Sequence, residues 1–284
     1  MKIGMNLFLW TDAPEFGKHE GLIDLIGKIG FNGVEFPVEP MSGDSIGKFA
    51  KKCAALGLDR TAVAVLQPAK YDPASPDKAL RQAAVKAIDE WSAKTIDLGA
   101  NLLSGPFFQG LGRFSGAPVT AEEWKWSLDT LHEACTAAGK RGVKIALEPL
   151  NRFEMYFANT LGDAKRFVKE LGLPNVGLLG DTMHSNIEEL DVAQAYYDAL
   201  PELIHVHISE STRGTPGSGH GVPPALFKKL KEGGYDGYLT IEAFSGGTTP
   251  SMIPALCLWR NPADSAEEIA RKGYRFIHDS ITAV

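Results

Sequence analysis

The chain has 284 residues, of which 44% are hydrophobic and 23% charged, with a formal net charge of −6. This is the size and composition of an ordinary globular α/β protein, not of a disordered or fibrous one. The acidic balance leaves no basic stripe for nucleic acid, no stretch approaches the roughly 20 apolar residues of a membrane span, and Cys53, Cys135 and Cys257 give neither a zinc pattern nor a disulfide framework.

Short apolar runs alternate with longer amphipathic stretches from end to end. The first strand is predicted over Ile3–Leu9. Its apolar run is short and lacks a small-residue cleavage site, so no signal peptide is expected and the cytoplasm is the expected location. A helix over Leu22–Ile29 follows, then a strand over Gly33–Phe36 and a helix over Ile46–Leu56. Next come a strand over Arg60–Val65, a helix over Asp77–Leu98, a strand over Asn101–Ser104 and a helix over Ala121–Lys140. The second half repeats the pattern. Its strands are Lys144–Leu147, Val176–Gly180, Ile204–Ile208 and Gly237–Glu242, and its helices are Leu161–Leu171, Val192–Leu200, Pro224–Gly233 and Ser265–Ile281.

Glycines at 30, 57, 99, 142 and 234 each stand where a helix should stop and a strand begin. Pro76 is expected near the first turn of the third helix. Eight strands alternating with eight helices predict a parallel sheet, and the regularity and length predict a closed (β/α)8 barrel spanning residues 1–284 as one domain. Three long βα loops, 37–45, 105–120 and 243–263, would then crowd the face where barrels build their active sites.

Four residues end consecutive apolar runs in the second half: Glu148, Asp181, His207 and Glu242. They are about one strand–helix repeat apart. At the ends of parallel strands, three carboxylates and one imidazole can converge on one divalent ion. An oxygen-rich set with one histidine suits Mn²⁺ best, with Co²⁺ or Mg²⁺ as alternatives, whereas structural zinc would need more Cys or His. His205 shares a strand face with His207 and reads as a ligand's hydrogen-bond partner or, more simply, as a satisfied interior histidine. Glu35 closes the second strand and could reach the site, although a structural ion pair is the simpler expectation. Trp10 is placed near the substrate or in barrel-top packing, and Trp259 in a plug or subunit contact.

Three strings carry a family resemblance: Glu148-Pro-Leu-Asn-Arg-Phe-Glu154, Asp181-Thr-Met-His184, and His205-x-His207 with Arg213 downstream. With Tyr71-Asp-Pro-Ala-Ser-Pro-Asp-Lys78, Gly234-Tyr-Asp-Gly237 and Trp259-Arg260, the chain resembles the ketose 3-epimerases, acting on D-tagatose, D-psicose (allulose) or L-ribulose, among the xylose-isomerase-like TIM barrels. The resemblance implies metal-dependent epimerisation of free ketoses at C3 through a cis-enediolate. Glu148 and Glu242 would be the acid/base pair and, with Asp181 and His207, the metal ligands. Glu154, His184 and Arg213 would bind the substrate around C1 and C2. A homodimer or homotetramer is also implied.

Asn6, Met183, Ser185, Phe107, Phe108 and the stretch from Pro40 to Asp44 depart from the family pattern and are expected to line the distal end of the sugar. The competing readings on the same fold are an aldose–ketose isomerase of the hydroxypyruvate isomerase kind and a lyase like the inosose dehydratases. An endonuclease IV-type nuclease would need more histidines and a positive groove, and a non-catalytic sugar-binding barrel would be expected to lose one of the two glutamates.

Overall fold

A computed structural model describes residues 1–244, 253–254, 256–260 and 264–284. Eight parallel strands close into a barrel in sequence order: β1 Lys2–Asn6, β2 Gly33–Pro37, β3 Asp59–Val63, β4 Leu102–Gly105, β5 Lys144–Leu147, β6 Val176–Asp181, β7 Leu203–Ile208 and β8 Tyr238–Ile241. Helices cover the outside, so the strands are buried on both faces and read as nearly continuous apolar runs; all five residues of β2 are buried.

The predicted elements and their order are those observed, with local differences. The first strand stops at Asn6, three residues early. The Asn6 side chain accepts a hydrogen bond from the Phe8 N–H at 2.8 Å and turns the chain into a 3₁₀ turn over Leu7–Leu9. Pro76 lies before the third helix instead of in its first turn, because Asp77 is the cap and its carboxylate accepts from the Ala79 N–H. An additional short helix, Thr182–Glu188, occupies the loop after β6. Its cap is Asp181, which sequence reading assigned only to metal chemistry. The five glycines expected at helix stops all have positive φ. Most of the predicted loop 243–263 falls outside the described residues.

Gly105, which closes β4, ties the fold to the site. Its carbonyl accepts from the Glu148 N–H at 3.1 Å, and its φ is 153°. A Cβ added there would lie 2.1 Å from the Ala64 carbonyl oxygen, a clash with backbone that side-chain repacking cannot relieve. Gly105→Ala is therefore expected to lower unfolding stability by about 3 kcal/mol or more. A urea denaturation midpoint equal to that of the wild type would contradict this account of the β4 turn.

Candidate active site

Glu148 directly follows β5, Asp181 ends β6, His207 lies on β7, and Glu242 directly follows β8. Asp181 and His207 are register partners across the β6–β7 ladder, so both side chains point the same way. The barrel thus gathers the four residues at the C-terminal ends of its strands. All four are buried, and each offers a ligand atom within 4.8 Å of the others.

Two features bear on whether a divalent ion fits. His207 Nδ1 is buried without a hydrogen-bond partner, while Nε2 lies 2.7 Å from Glu35 Oε2. A neutral His207 donating from Nε2 would point its Nδ1 lone pair toward Glu242, 3.5 Å away. The three carboxylates are also packed too closely to be ionised together without a cation. The residues fit such an ion. A second group with metal-like spacing, Glu35, His205 and His207, is better described as a hydrogen-bond cluster, because both Glu35 oxygens are already engaged.

That cluster was only half anticipated. Glu35 is fully buried at the floor of the site. Its Oε2 accepts from Asn6 Nδ2 at 2.8 Å as well as from His207. Its Oε1 takes His205 Nε2 at 2.8 Å, Thr61 Oγ1 at 3.2 Å and Ser104 Oγ at 3.3 Å. Burial alone would raise the Glu35 pKa, but His207 and His205 outweigh it and hold the carboxyl ionised well below the usual range. Asn6 was expected at the distal end of the sugar. It sits instead between Glu35 and Glu242, 3.5 Å from Glu242 Oε1.

The electrostatics divide the acids. Burial, then the neighbouring Glu242, pushes Glu148 well above the ordinary carboxylate range. Burial likewise pushes Glu242 up to about 7 against the pull of His207 and Arg213. Asp181 goes the other way: burial would raise it, but Arg213, His184 and His207 hold it at about 2. Its Oδ1 also accepts the Met183 and His184 N–H groups, and the Ser209 hydroxyl lies 2.5 Å from Oδ2. Burial disfavours the His207 imidazolium, yet Glu35 and then Glu242 raise it to about 10.

Glu154, His184 and Arg213 share the same cavity wall with Glu148 and Glu242. Arg213 adopts a left-handed backbone, φ 58°, which turns its side chain inward. Its Nη1 donates to Glu242 Oε2 at 2.9 Å, and its guanidinium lies over the Phe244 ring. Burial, then Arg213, keeps His184 neutral with a pKa of about 4. The Asn151 N–H donates to His184 Nδ1, which puts the remaining ring proton on Nε2, facing Arg213 Nη2 at 2.9 Å. Two N–H donors that meet in this way leave hydrogen-bonding capacity unmatched, and an oxygen placed beside both could accept from each. Glu154 is held by Asn151 Nδ2 at 2.8 Å.

Other expectations fare differently. Phe107 and Phe108 are fully buried, and Phe108 packs against Phe157 and Phe167, so Pro106 and Leu111 line the cavity from that loop. Phe8 lines it from the first βα turn, whereas Trp10 packs against the core. Trp259 is 74% exposed. Glu210 escaped sequence reading: buried, it accepts N–H groups from Ser211, Gly217, Gly219 and Gly221 and so fastens the loop that carries Arg213. Among the described residues, no helix is long and apolar enough to cross a membrane.

A parallel barrel with an acidic site and one histidine at its C-terminal mouth defines a class of sugar isomerase and epimerase. Residues 23–279 match the family model of the xylose isomerase-like TIM barrel. The chain is 32% identical to the L-ribulose 3-epimerase of Mesorhizobium japonicum over 97% of its own length and 93% of that protein. It is 32% identical to a ketose 3-epimerase of Arthrobacter globiformis over 100% and 98% of the two chains. A solved structure of L-ribulose 3-epimerase superposes with a TM-score of 0.93 at 30% identity, over 99% of this chain and 95% of the other. The chain belongs to the ketose 3-epimerase family and is a carbohydrate epimerase.

Proposed function

We propose that the protein epimerises ketoses at C3 with the aid of one divalent ion, Mn²⁺ first and Co²⁺ or Mg²⁺ as alternatives, and assembles as a homodimer or homotetramer. The carrying observation is the pair Glu148 and Glu242: two buried carboxyls at one site, each raised first by burial, which disfavours ionising both together and lets the pair share a proton. That is the state needed to take a proton from one face of a carbon and return one to the other.

A bound ion, held by Glu148, Asp181, His207 and Glu242, supplies Lewis-acid stabilisation of the negative charge that develops beside the C2 carbonyl. The ionised glutamate removes the C3 proton, and the protonated one delivers its own to the opposite face. The roles exchange with the direction of reaction. Arg213 and His184 present two adjacent N–H donors to oxygens at the C1–C2 end, and Glu154 accepts from a hydroxyl there. These contacts leave C3 between the two carboxyls. Leu102, Ala146 and Leu179, each two residues before Ser104, Glu148 or Asp181 and so on the same inward strand face, are buried in a cluster inside the barrel and keep bulk water away from the floor.

The test is proton NMR in D2O with D-fructose, D-tagatose and L-ribulose, quenched with chelator before the spectrum. Deuterium at C3 with growth of the C3 epimer is expected. Deuterium at C1 with an aldose product would replace this reading by the aldose–ketose isomerase.

A further inference from the structure

The cavity above the site has a volume of about 650 Å³. A ketohexose fills roughly 200 Å³, the share of about seven waters in the liquid, which leaves roughly 450 Å³. The unused part is not a featureless mouth. From the acidic site on β5–β8 the cavity crosses the barrel top to the opposite half and reaches α3, the helix Lys78–Asp97.

The walls at that far end are Glu39 after β2, Gln67, Lys70 and Tyr71 after β3, and Glu90 and Trp91 on α3. They are partly organised already. Gln67 Nε2 lies 3.4 Å from Glu39 Oε1, Lys94 Nζ donates to the Glu39 carbonyl at 2.6 Å, and Tyr71 meets Trp91 edge to face at 5.8 Å. Carboxylates and an amide beside aromatic rings are the groups that receive a sugar: hydroxyls go to the acids and amide, and C–H faces go to the rings. Lys70 and Lys94 balance Glu39 and Glu90 at this end, so the wall has no net charge and suits a neutral, hydroxyl-bearing group.

We infer that the far chamber binds a glycosyl group, and that the preferred substrate is a ketose carrying a sugar on its C6 oxygen, with C3 inverted while the glycosidic bond stays intact. The inference rests on the proposed C3 epimerisation. It follows from orientation, since the C1–C2 end is held by Glu154, His184 and Arg213 on the β5–β7 side and the other end of the chain then points across the mouth. The step balances without a co-reactant: one proton leaves C3 and one returns.

The experiment compares isomaltulose, a 6-O-glucosyl ketose, with D-fructose by C3 deuterium incorporation in D2O. A kcat/KM at least about tenfold higher for isomaltulose is expected, the yield of one well-filled subsite. Gln67→Trp, which fills the outer chamber, should lower the ratio of the two values by about tenfold. Exchange of D-fructose equal to or faster than that of isomaltulose overturns the glycosyl site and leaves the epimerase reading standing. Exchange of neither sugar overturns both. A ratio unmoved by Gln67→Trp also counts against the outer chamber as the source of the preference.

Discussion

Glu148→Gln should reduce C3 inversion about 10³-fold or more at saturating metal, and Glu242→Gln should do the same. Glutamine keeps the shape and one ligand oxygen but can neither take nor give up a proton. The two variants should not be equivalent in a finer assay. Each glutamate serves one face of C3, so the remaining one can still remove and return a proton on its own side. Glu148→Gln should then wash deuterium into one C3 epimer with retention of configuration, and Glu242→Gln into the other. This is read by incubating each epimer separately with each variant in D2O. Loss of all exchange in both epimers, together with loss of the bound metal from a well-folded variant, would mean that the lost residue mainly holds the ion. Wild-type inversion in either variant would remove the two-base proposal.

In the wild type the pair should also give a bell-shaped pH profile, because activity needs one proton on two carboxyls. Its two limbs belong to the pair and not to either residue. Bound metal favours the ionised forms, so the limbs should lie lower in pH than the raised values of the metal-free site suggest. Removing the metal and titrating the protein itself should move them upward.

The barrel was legible because its signals are local. Apolar runs of strand length, amphipathic runs of helix length and glycines between them recur in order, and each needs only its neighbours in sequence to be read. The same locality explains the four converging residues: a carboxylate or imidazole at the end of each strand meets the others once the strands are parallel and adjacent. Glu35 was expected in a structural ion pair, and it is in one, but its partners could not be named because they are non-local. Its partners His205 and His207 are 170 and 172 residues away, and nothing near Glu35 announces them. The available signal was joint: an acid closing one strand and two imidazoles two residues apart on a face of another. Asn6 was misplaced for a similar reason. A first-strand position was read as the sugar's neighbour, whereas the side chain turns down to bridge two glutamates. Phe107 and Phe108 were expected against the sugar because they sit in a long loop at the barrel mouth, while their rings instead complete aromatic contacts inside the wall.

Glu35→Gln should weaken Mn²⁺ or Co²⁺ binding by about 10–100-fold although no ligand is replaced. The carboxylate accepts from five donors and fixes the proton of His207 on Nε2, leaving Nδ1 with a lone pair. An amide keeps the shape but has only one acceptor oxygen. Where its NH2 meets His207 Nε2 it becomes the donor, and the ring proton moves to Nδ1, where a metal would bind.

The charge change has its own signature. In the metal-free wild type Glu35, and then Glu242, raise His207 to about 10, so at pH 7 the ring is protonated and binding must expel that proton. Glu242, raised to about 7, is partly protonated there as well. Metal and protons compete for the same atoms, so wild-type affinity should rise with pH. With Glu35 neutralised, His207 loses the largest of the groups that hold its proton against burial, and the number of protons released on binding at pH 7 should fall, by at most about one. Calorimetry in two buffers of different ionisation enthalpy measures affinity and proton count together. An unchanged affinity with an unchanged proton count would mean that Glu35 braces the barrel floor without orienting the ligand. A lower affinity with fewer protons released would tie the fully buried acid of β2 to the tautomer of the histidine on β7.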